Sequence, residues 1–296
     1  MTVRAASAST RRFDTIAALV RAARPHHWTK NLLLFAGLLF SARFQDASYW
    51  PESLAVFGAY CAASSASYLL NDVRDAELDR AHAQKRARPV AAGELSPRVA
   101  VAGAGVLALA AIGLAAPAGA DSALLVAVFL SLQLAYSTLL KHVVFADVAA
   151  ISMLFVIRAA AGAMAVDVRL SGWLVVCTAL LALFLALAKR RGELRMGTAG
   201  RPVLDHYGRA GLDRLVLGAA LAALAAYTAY AFSGPTAPTM ALTIPLAAAG
   251  VARYVSLVRR HELGQEPERL LVQDAPLLAA VLAWVALSGI ILAVEV

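Results

Sequence analysis

The sequence predicts an all-α, polytopic membrane protein with nine transmembrane helices and its polar chemistry gathered on the cytoplasmic side. Three observations carry this. Of the 296 residues, 60% are hydrophobic and only 16% charged, where a soluble domain is roughly half apolar and a quarter charged. The apolar excess falls in blocks of about 20 residues, the length of helix that crosses a bilayer core. Lys and Arg are concentrated in alternate connections between these blocks, the signature of positive-inside topology.

The elements follow in order. Residues 1–30 form a basic N-terminal segment without the apolar core and small-residue cleavage site of a signal peptide. Within it Phe13, Ile16, Ala17, Leu19 and Val20 recur at helical spacing near Arg11, Arg12 and Arg21. Residues 12–24 therefore read as an amphipathic helix lying on the membrane surface. Residues 31–296 form the membrane domain. Its spans fall at about 31–48, 51–70, 98–117, 122–140, 144–166, 171–188, 212–232, 237–257 and 274–294. Pro51 and Pro276 suit helix starts. Pro89 and Pro97 bracket Gly93 in a turn-rich connection, and Pro245 inside span 8 predicts a kink.

With the N-terminus inside, the segments 1–30, 71–98, 141–143, 189–214 and 253–273 are also inside and hold 24 of the 27 basic residues. The outside loops hold only Arg43 and Arg169, and Arg158 lies within span 5. All six histidines fall inside too. This places the chain in the inner (plasma) membrane with cytoplasmic N-terminus and active site. The net charge of +8 is thus topogenic and anion-binding, and nucleic acid is excluded as a partner. Cys61 and Cys177 sit far apart in apolar spans, so neither a disulfide framework nor a Cys/His metal site is expected. The two richest inside loops follow spans 2 and 6, which hints at related halves, spans 2–5 and 6–9.

The chemistry concentrates after span 2. Asp72, Asp75 and Asp79 are spaced i, i+3, i+7, along one face of a helix, and Asn71 joins them at i+4 from Asp75. Such carboxylates repel one another unless a cation sits between them. Mg²⁺ favours hard oxygens, taking one or two carboxylates plus substrate phosphates. The functional reading is therefore a Mg²⁺–diphosphate site, and the bland one a solvated helix end. Arg80, Lys85, Arg86 and Arg88 follow at once, as phosphate donors or as topology-setting charge. After span 6 the loop reads Lys189-Arg190-Arg191-Gly192-Glu193-Leu194-Arg195, then Asp205, His206 and Tyr207. It is basic with a single acid in its first turn, which suits bare phosphate rather than a second metal cage; it is equally a stop signal for a span. Lys30 stands where span 1 enters the membrane, within reach of a phosphate, and Trp28 beside it suits an interfacial anchor. Tyr136 and Lys141 end span 4, and Asp147 starts span 5. Arg158 lies 11 residues past Asp147, about 16 Å deeper along a helix; an intramembrane charge reads as functional or as part of a structural ion pair. There is no G-x-S-x-G, H-E-x-x-H or P-loop.

Asn71-Asp72-x-x-Asp75-x-x-x-Asp79 at the inside end of span 2 in a nine-span chain resembles the UbiA superfamily of intramembrane prenyltransferases. The resemblance runs over nearly the whole chain. Aromatic prenyltransferases of that superfamily carry a second aspartate-rich motif after span 6, and this chain has Lys189-Arg190-Arg191-Gly192-Glu193-Leu194 there. That loop is similar to the decaprenyl-phosphate phosphoribosyltransferase branch. So are Arg24-Pro25-His26-His27-Trp28-Thr29-Lys30-Asn31, Tyr68-Leu69-Leu70-Asn71-Asp72-Val73-Arg74-Asp75, Lys85-Arg86-Ala87-Arg88-Pro89, Phe155-Val156-Ile157-Arg158-Ala159 and Gly264-Gln265-Glu266-Pro267-Glu268.

The resemblance implies a UbiA-like helical bundle that transfers 5-phosphoribose from 5-phosphoribosyl 1-diphosphate to a polyprenyl phosphate, with Mg²⁺ as cofactor. The product would be a precursor of the lipid-linked arabinose donor for cell-wall arabinan. It implies Asp72 and Asp75 as metal ligands and Asp79 as ligand to the metal or its waters. Asn71, Lys30, Arg86, Tyr136 and Lys141 would contact diphosphate or ribose, and Lys189, Arg190 and Tyr207 the remaining phosphates. Arg158 and Glu193 join them as candidate substrate-site residues. The implied partners are these two substrates and membrane lipid, with a homo-oligomer left open. Two other readings stand beside this one: an aromatic or quinone-pathway prenyltransferase with a prenyl diphosphate donor, and a transporter or non-catalytic scaffold.

Overall fold

The apolar periodicity is realised as helix throughout. The computed structural model describes residues 14–195, 208–234, 236–260 and 267–295, and every regular element among them is helical. Among the described residues eight helices are long and apolar enough to cross a membrane: Ala47–Arg74, Pro97–Ala118, Ala120–His142, Ala146–Met164, Gly172–Leu194, Ala210–Ala231, Ala237–Arg259 and Ala275–Glu295. They match predicted spans 2–9.

The first predicted span, 31–48, takes a different form. A 3-10 helix runs Pro25–Leu34, a six-residue α-helix follows at Phe35–Phe40, and Ala42 ends it in the left-handed region at φ 56°. The reason is steric. A Cβ on Gly162 would collide with the Leu34 carbonyl, and one on Gly37 would lie 2.6 Å from the Ala163 backbone. Backbones this close demand small residues, and the thinner 3-10 form lets the chain press onto its neighbour. Ten residues at about 2.0 Å and six at about 1.5 Å rise still cover about 29 Å.

The chain divides into two compact units, residues 1–31 with 55–137, and 32–54 with 138–296. The division falls after predicted span 4, and span 1 belongs largely to the second unit, so the units are not the halves 2–5 and 6–9. We number the α-helices α1 (14–23), α2 (Phe35–Phe40), α3 (Trp50–Arg74), α4 (Ala76–Ala81), α5 (Pro97–Ala115), α6 (Ala120–Thr138), α7 (Ala146–Met164), α8 (Gly172–Arg195), α9 (Arg209–Ala231), α10 (Ala237–Met240), α11 (Ile244–Arg260), α12 (Pro267–Gln273) and α13 (Ala275–Glu295).

In the first unit a small-residue core joins α1, α3 and α5: Ala18, Ala22, Ala66, Leu69, Ala100 and Ala104. α1 turns Ala18 and Ala22 inward and leaves Ile16, Ala17 and Val20 exposed, as an interfacial helix does. The 82–96 connection is ordered by its own hydrogen bonds. The Leu95 amide donates to the Pro89 carbonyl at 3.0 Å, Val90 and Leu95 are buried, and Gly93 supplies φ 80°. Ser96 caps α5 by accepting from the Val99 amide, with Pro97 following it.

In the second unit α7, α8, α9, α11 and α13 share one core, with Val148, Phe184, Leu187, Leu212, Val216, Tyr254 and Leu277 at its centre. The break expected at Pro245 appears as a 3-10 turn at Ala241–Thr243 immediately ahead of α11. Leu221, Leu242, Leu282 and Ile290 are exposed, the apolar surface that lipid covers. The two most enclosed spans are those of α3 and α7, whose apolar windows are 61% and 67% buried. These two helices carry Asp72, Asp147 and Arg158.

Candidate active site

The acidic face lies where α3 gives way to α4. The helix does not run through: Asp75 sits between the two at φ −90°, ψ 5°. The hydrogen bonds nevertheless continue in helical register, from the Asp75 amide to the Asn71 carbonyl at 2.9 Å and from the Asp79 amide to the Asp75 carbonyl at 2.8 Å. Asp72 and Asp79 point inward and are buried, Asp72 at 0% exposure, while Asp75 and Asn71 are half-buried.

The cation that these carboxylates need is supplied by two arginines. Arg24 donates to Asp72 Oδ1. Arg88 donates to Asp79 Oδ2 at 2.6 Å and stands 3.6 Å from Asp72 Oδ1. Burial pulls the Arg24 guanidinium below its ordinary pKa, and the Asp72 charge works against that shift. Arg88, expected to serve phosphate or topology, is spent on the acids instead, and Arg24 carries no signal in the spacing, because it is 48 residues from Asp72. The left-handed backbone of Arg24, φ 53° ahead of Pro25, leaves no mark in composition. Arg80 is committed to the loop, donating from Nε to the Ala91 carbonyl at 3.2 Å, and Arg86 is exposed.

Among the described residues no three His, Cys, Asp or Glu side chains converge as a ready-made metal cage. The predicted trio Asp72, Asp75 and Asp79 thus does not form one unaided. One buried atom does fit a divalent ion. Asp72 Oδ2 has no hydrogen-bond partner, and a fully enclosed carboxylate oxygen left in this state is costly. Mg²⁺ ordinarily takes one or two carboxylates and completes its shell with substrate phosphates and water. The donor set therefore fits a metal brought in with a diphosphate.

The rest of the first-unit candidates are dispersed. Lys30 is half-buried in the 3-10 helix, and its neighbour Asn31 is buried, donating to Cys61 Sγ at 3.3 Å. Tyr136 is half-buried near the end of α6.

In the second unit α8 continues past the predicted end of span 6 through Lys189, Arg190 and Glu193. Arg190 was expected to hold phosphate. Its side chain is instead 1% exposed, with Nε 2.8 Å from Asp147 Oδ2 and Nη1 donating to Glu193. Asp147, likewise 1% exposed, stands at the start of α7 just after Phe145, whose φ is 64°. Arg191 ties α8 to α9 and α11 through Asp213 and the Val258 carbonyl. Charge in this stretch of α8 is thus consumed by packing, which a reading of local charge alone does not reveal. Lys141 and Lys189 are half-buried. Arg158 is buried and donates to the carbonyl of Leu154 on its own helix at 3.0 Å, with its guanidinium over the Phe155 ring. Tyr207 lies outside the described residues.

A profile of the UbiA prenyltransferase family matches residues 31–275. The chain belongs to the UbiA prenyltransferase family. Its UbiA fold is seen as well in a solved UbiA homologue from Archaeoglobus fulgidus bound to GPP and Mg²⁺, at TM-score 0.72 and 18% identity over 94% of this chain and 100% of that one. Among curated relatives, the decaprenyl-phosphate phosphoribosyltransferase of Mycolicibacterium smegmatis is 34% identical, covering 93% of this chain and 92% of its own length. The enzyme of the same name from Mycobacterium tuberculosis is 33% identical, covering 93% and 94%. This UbiA member is accordingly an all-α polytopic membrane protein.

Proposed function

We propose that this UbiA member transfers 5-phosphoribose from 5-phosphoribosyl 1-diphosphate to decaprenyl phosphate. The products are decaprenylphosphoryl-5-phosphoribose, for arabinan synthesis, and diphosphate. The observation that carries this reading is what closes α8. A prenyl-diphosphate enzyme of the family would place free aspartates there, and here Arg190 and Arg191 occupy the place, paired with Asp147, Glu193 and Asp213. Among the described residues that leaves the carboxylates around Asp72 as the metal-competent group. The two curated relatives named for this reaction match over more than nine-tenths of the chain.

An oxygen of the lipid phosphate attacks ribose C1, the C1–O bond to diphosphate breaks, and its electron pair leaves with the diphosphate. The acceptor has a second pKa near 6 and is ionised at neutral pH, so no side chain need remove a proton. Mg²⁺, held at Asp72 Oδ2 and by Asp75, would neutralise the departing diphosphate. Asp79 would hold the metal or its waters, with Arg88 fixing Asp79 in orientation. Lys30, Asn71, Arg86, Tyr136 and Lys141 contact diphosphate or ribose. Lys189 and Tyr207 bind the other phosphates, and Arg158 and Glu193 belong to the substrate site generally. Arg190, enclosed by Asp147 and Glu193, serves packing in this reading.

Catalysis is then positioning plus charge stabilisation, in the plasma membrane, with the N-terminus and Asp72 facing the cytoplasm. The ninth crossing is the first predicted span, which opens at Asn31 just past Lys30. Membranes containing the protein are incubated with labelled 5-phosphoribosyl 1-diphosphate, decaprenyl phosphate and Mg²⁺. A labelled lipid that disappears with EDTA is expected. Consumption of a prenyl diphosphate without labelled phosphoribosyl lipid would overturn the reading in favour of an aromatic prenyltransferase.

A further inference from the structure

We propose that Arg24 is a positioning residue that selects which oxygen of Asp72 receives the metal. The inference rests on the metal–diphosphate reading of Asp72 above. The two oxygens of this fully enclosed carboxylate are not equivalent: Oδ1 accepts from Arg24 and has Arg88 at 3.6 Å, while Oδ2 has no hydrogen-bond partner. A carboxylate held at one oxygen by a charge-assisted bond has its plane set and the other oxygen presented.

Arg24 is built for that task rather than for roaming. Its guanidinium lies over the Tyr68 ring, 5.1 Å from the centroid. Tyr68 precedes Asp72 by one helical turn, so ring and carboxylate grip the same side chain. Its backbone is stapled on either side to one residue of α3. The Ser65 hydroxyl donates to the Ala23 carbonyl at 2.9 Å and accepts from the Trp28 indole at 3.0 Å. The Arg24 carbonyl accepts from the His27 amide at 3.0 Å. Ala18 and Ala22 anchor α1 in the core immediately before it. These restraints hold Arg24 at φ 53°, a conformation that a non-glycine residue keeps only where its surroundings over-determine it. Arg88 differs: it reaches Asp79 from a loop, is 26% exposed against 17% for Arg24, and is shared between two acids.

The test compares wild-type, R24M, R24K and S65A as full-length protein in nanodiscs, with two readouts. Bound Mn²⁺ is counted by electron paramagnetic resonance in the presence of inorganic diphosphate, and the Mg²⁺ midpoint of phosphoribosyl transfer is measured beside the donor KM at saturating Mg²⁺. R24M is expected to weaken Mn²⁺ binding and raise the Mg²⁺ midpoint at least tenfold, with the donor KM moving less than threefold. R24K keeps the charge but loses the forked geometry and falls between. S65A, which loosens the staple and keeps Arg24, moves both readouts two- to fivefold the same way. Unchanged Mn²⁺ binding in folded R24M overturns the inference. So does a raised donor KM at an unchanged Mg²⁺ midpoint, which would make Arg24 a donor contact. If R24M does not fold, R24K and S65A decide by the same two readouts. If wild-type protein transfers no phosphoribose while R24M still weakens Mn²⁺ binding, the positioning role stands and the proposed reaction falls.

Discussion

The two charged clusters, one at the end of α3 and one at the end of α8, use the same parts in opposite order. At α3 the helix carries the acids, Asp72 and Asp79, and arginines reach in from α1's end and from a loop. At α8 the helix carries Arg190, and acids enclose it from the start of α7 and from one turn along, at Glu193. The first cluster keeps partly exposed arginines, at 17% and 26%, and an oxygen on Asp72 with no partner. The second is closed, with Arg190 and Asp147 both 1% exposed. Buried charges that are mutually enclosed specify packing. A buried carboxylate with an unspent oxygen beside partly exposed counter-charges can take a ligand.

The largest effect that sharpens this contrast is at Asp72. D72N should cost at least about 10³-fold in kcat/KM, on the scale of lost transition-state charge stabilisation, with thermal stability within about 2 °C of wild type in detergent. Near-wild-type labelled-lipid formation by D72N would break it. Next is R190M, which leaves Asp147 and Glu193 buried without their cation and should destabilise the protein by about 3–5 kcal/mol, read as thermal unfolding of folded protein. The double variant R190M/D147L should recover most of that stability, because a buried ion pair replaced by apolar groups of similar volume is close to neutral. Retained stability in R190M with a raised donor KM would instead return Arg190 to phosphate binding. D79N should weaken apparent Mg²⁺ affinity by about 10–100-fold, and it should not be rescued by the companion change R88M, since here the acid serves a ligand. R86A should be smallest: Arg86 is exposed, so a donor KM change of less than about tenfold, shrinking further in high salt, is expected.

Eight of the nine predicted spans match long apolar helices among the described residues, because a bilayer imposes a length and a polarity on each helix that no tertiary contact can alter. Pro51 at the start of α3 and the irregularity ahead of Pro245 were legible for the same local reason: the missing N–H acts on its own turn. The acidic face was legible from the i, i+3, i+7 spacing. The cage was not, since spacing says that carboxylates share a face and says nothing of what opposes them. Arg24 and Arg88 oppose them, from 48 and 16 positions away for Asp72. The first span misled because its apolar length suggests one α-helix, whereas backbone contact at Gly162 and Gly37 favours a tighter form.

From its sequence alone, then, the protein's helical class, eight of its long apolar helices and the place of its acidic segment were determined, because hydropathy and helical periodicity are properties of neighbouring residues. Only the tertiary structure decided which charges are spent and which are available. That Arg190 is locked while Asp72 Oδ2 is left open depends on side chains brought together across tens of residues, and on the desolvation each suffers there.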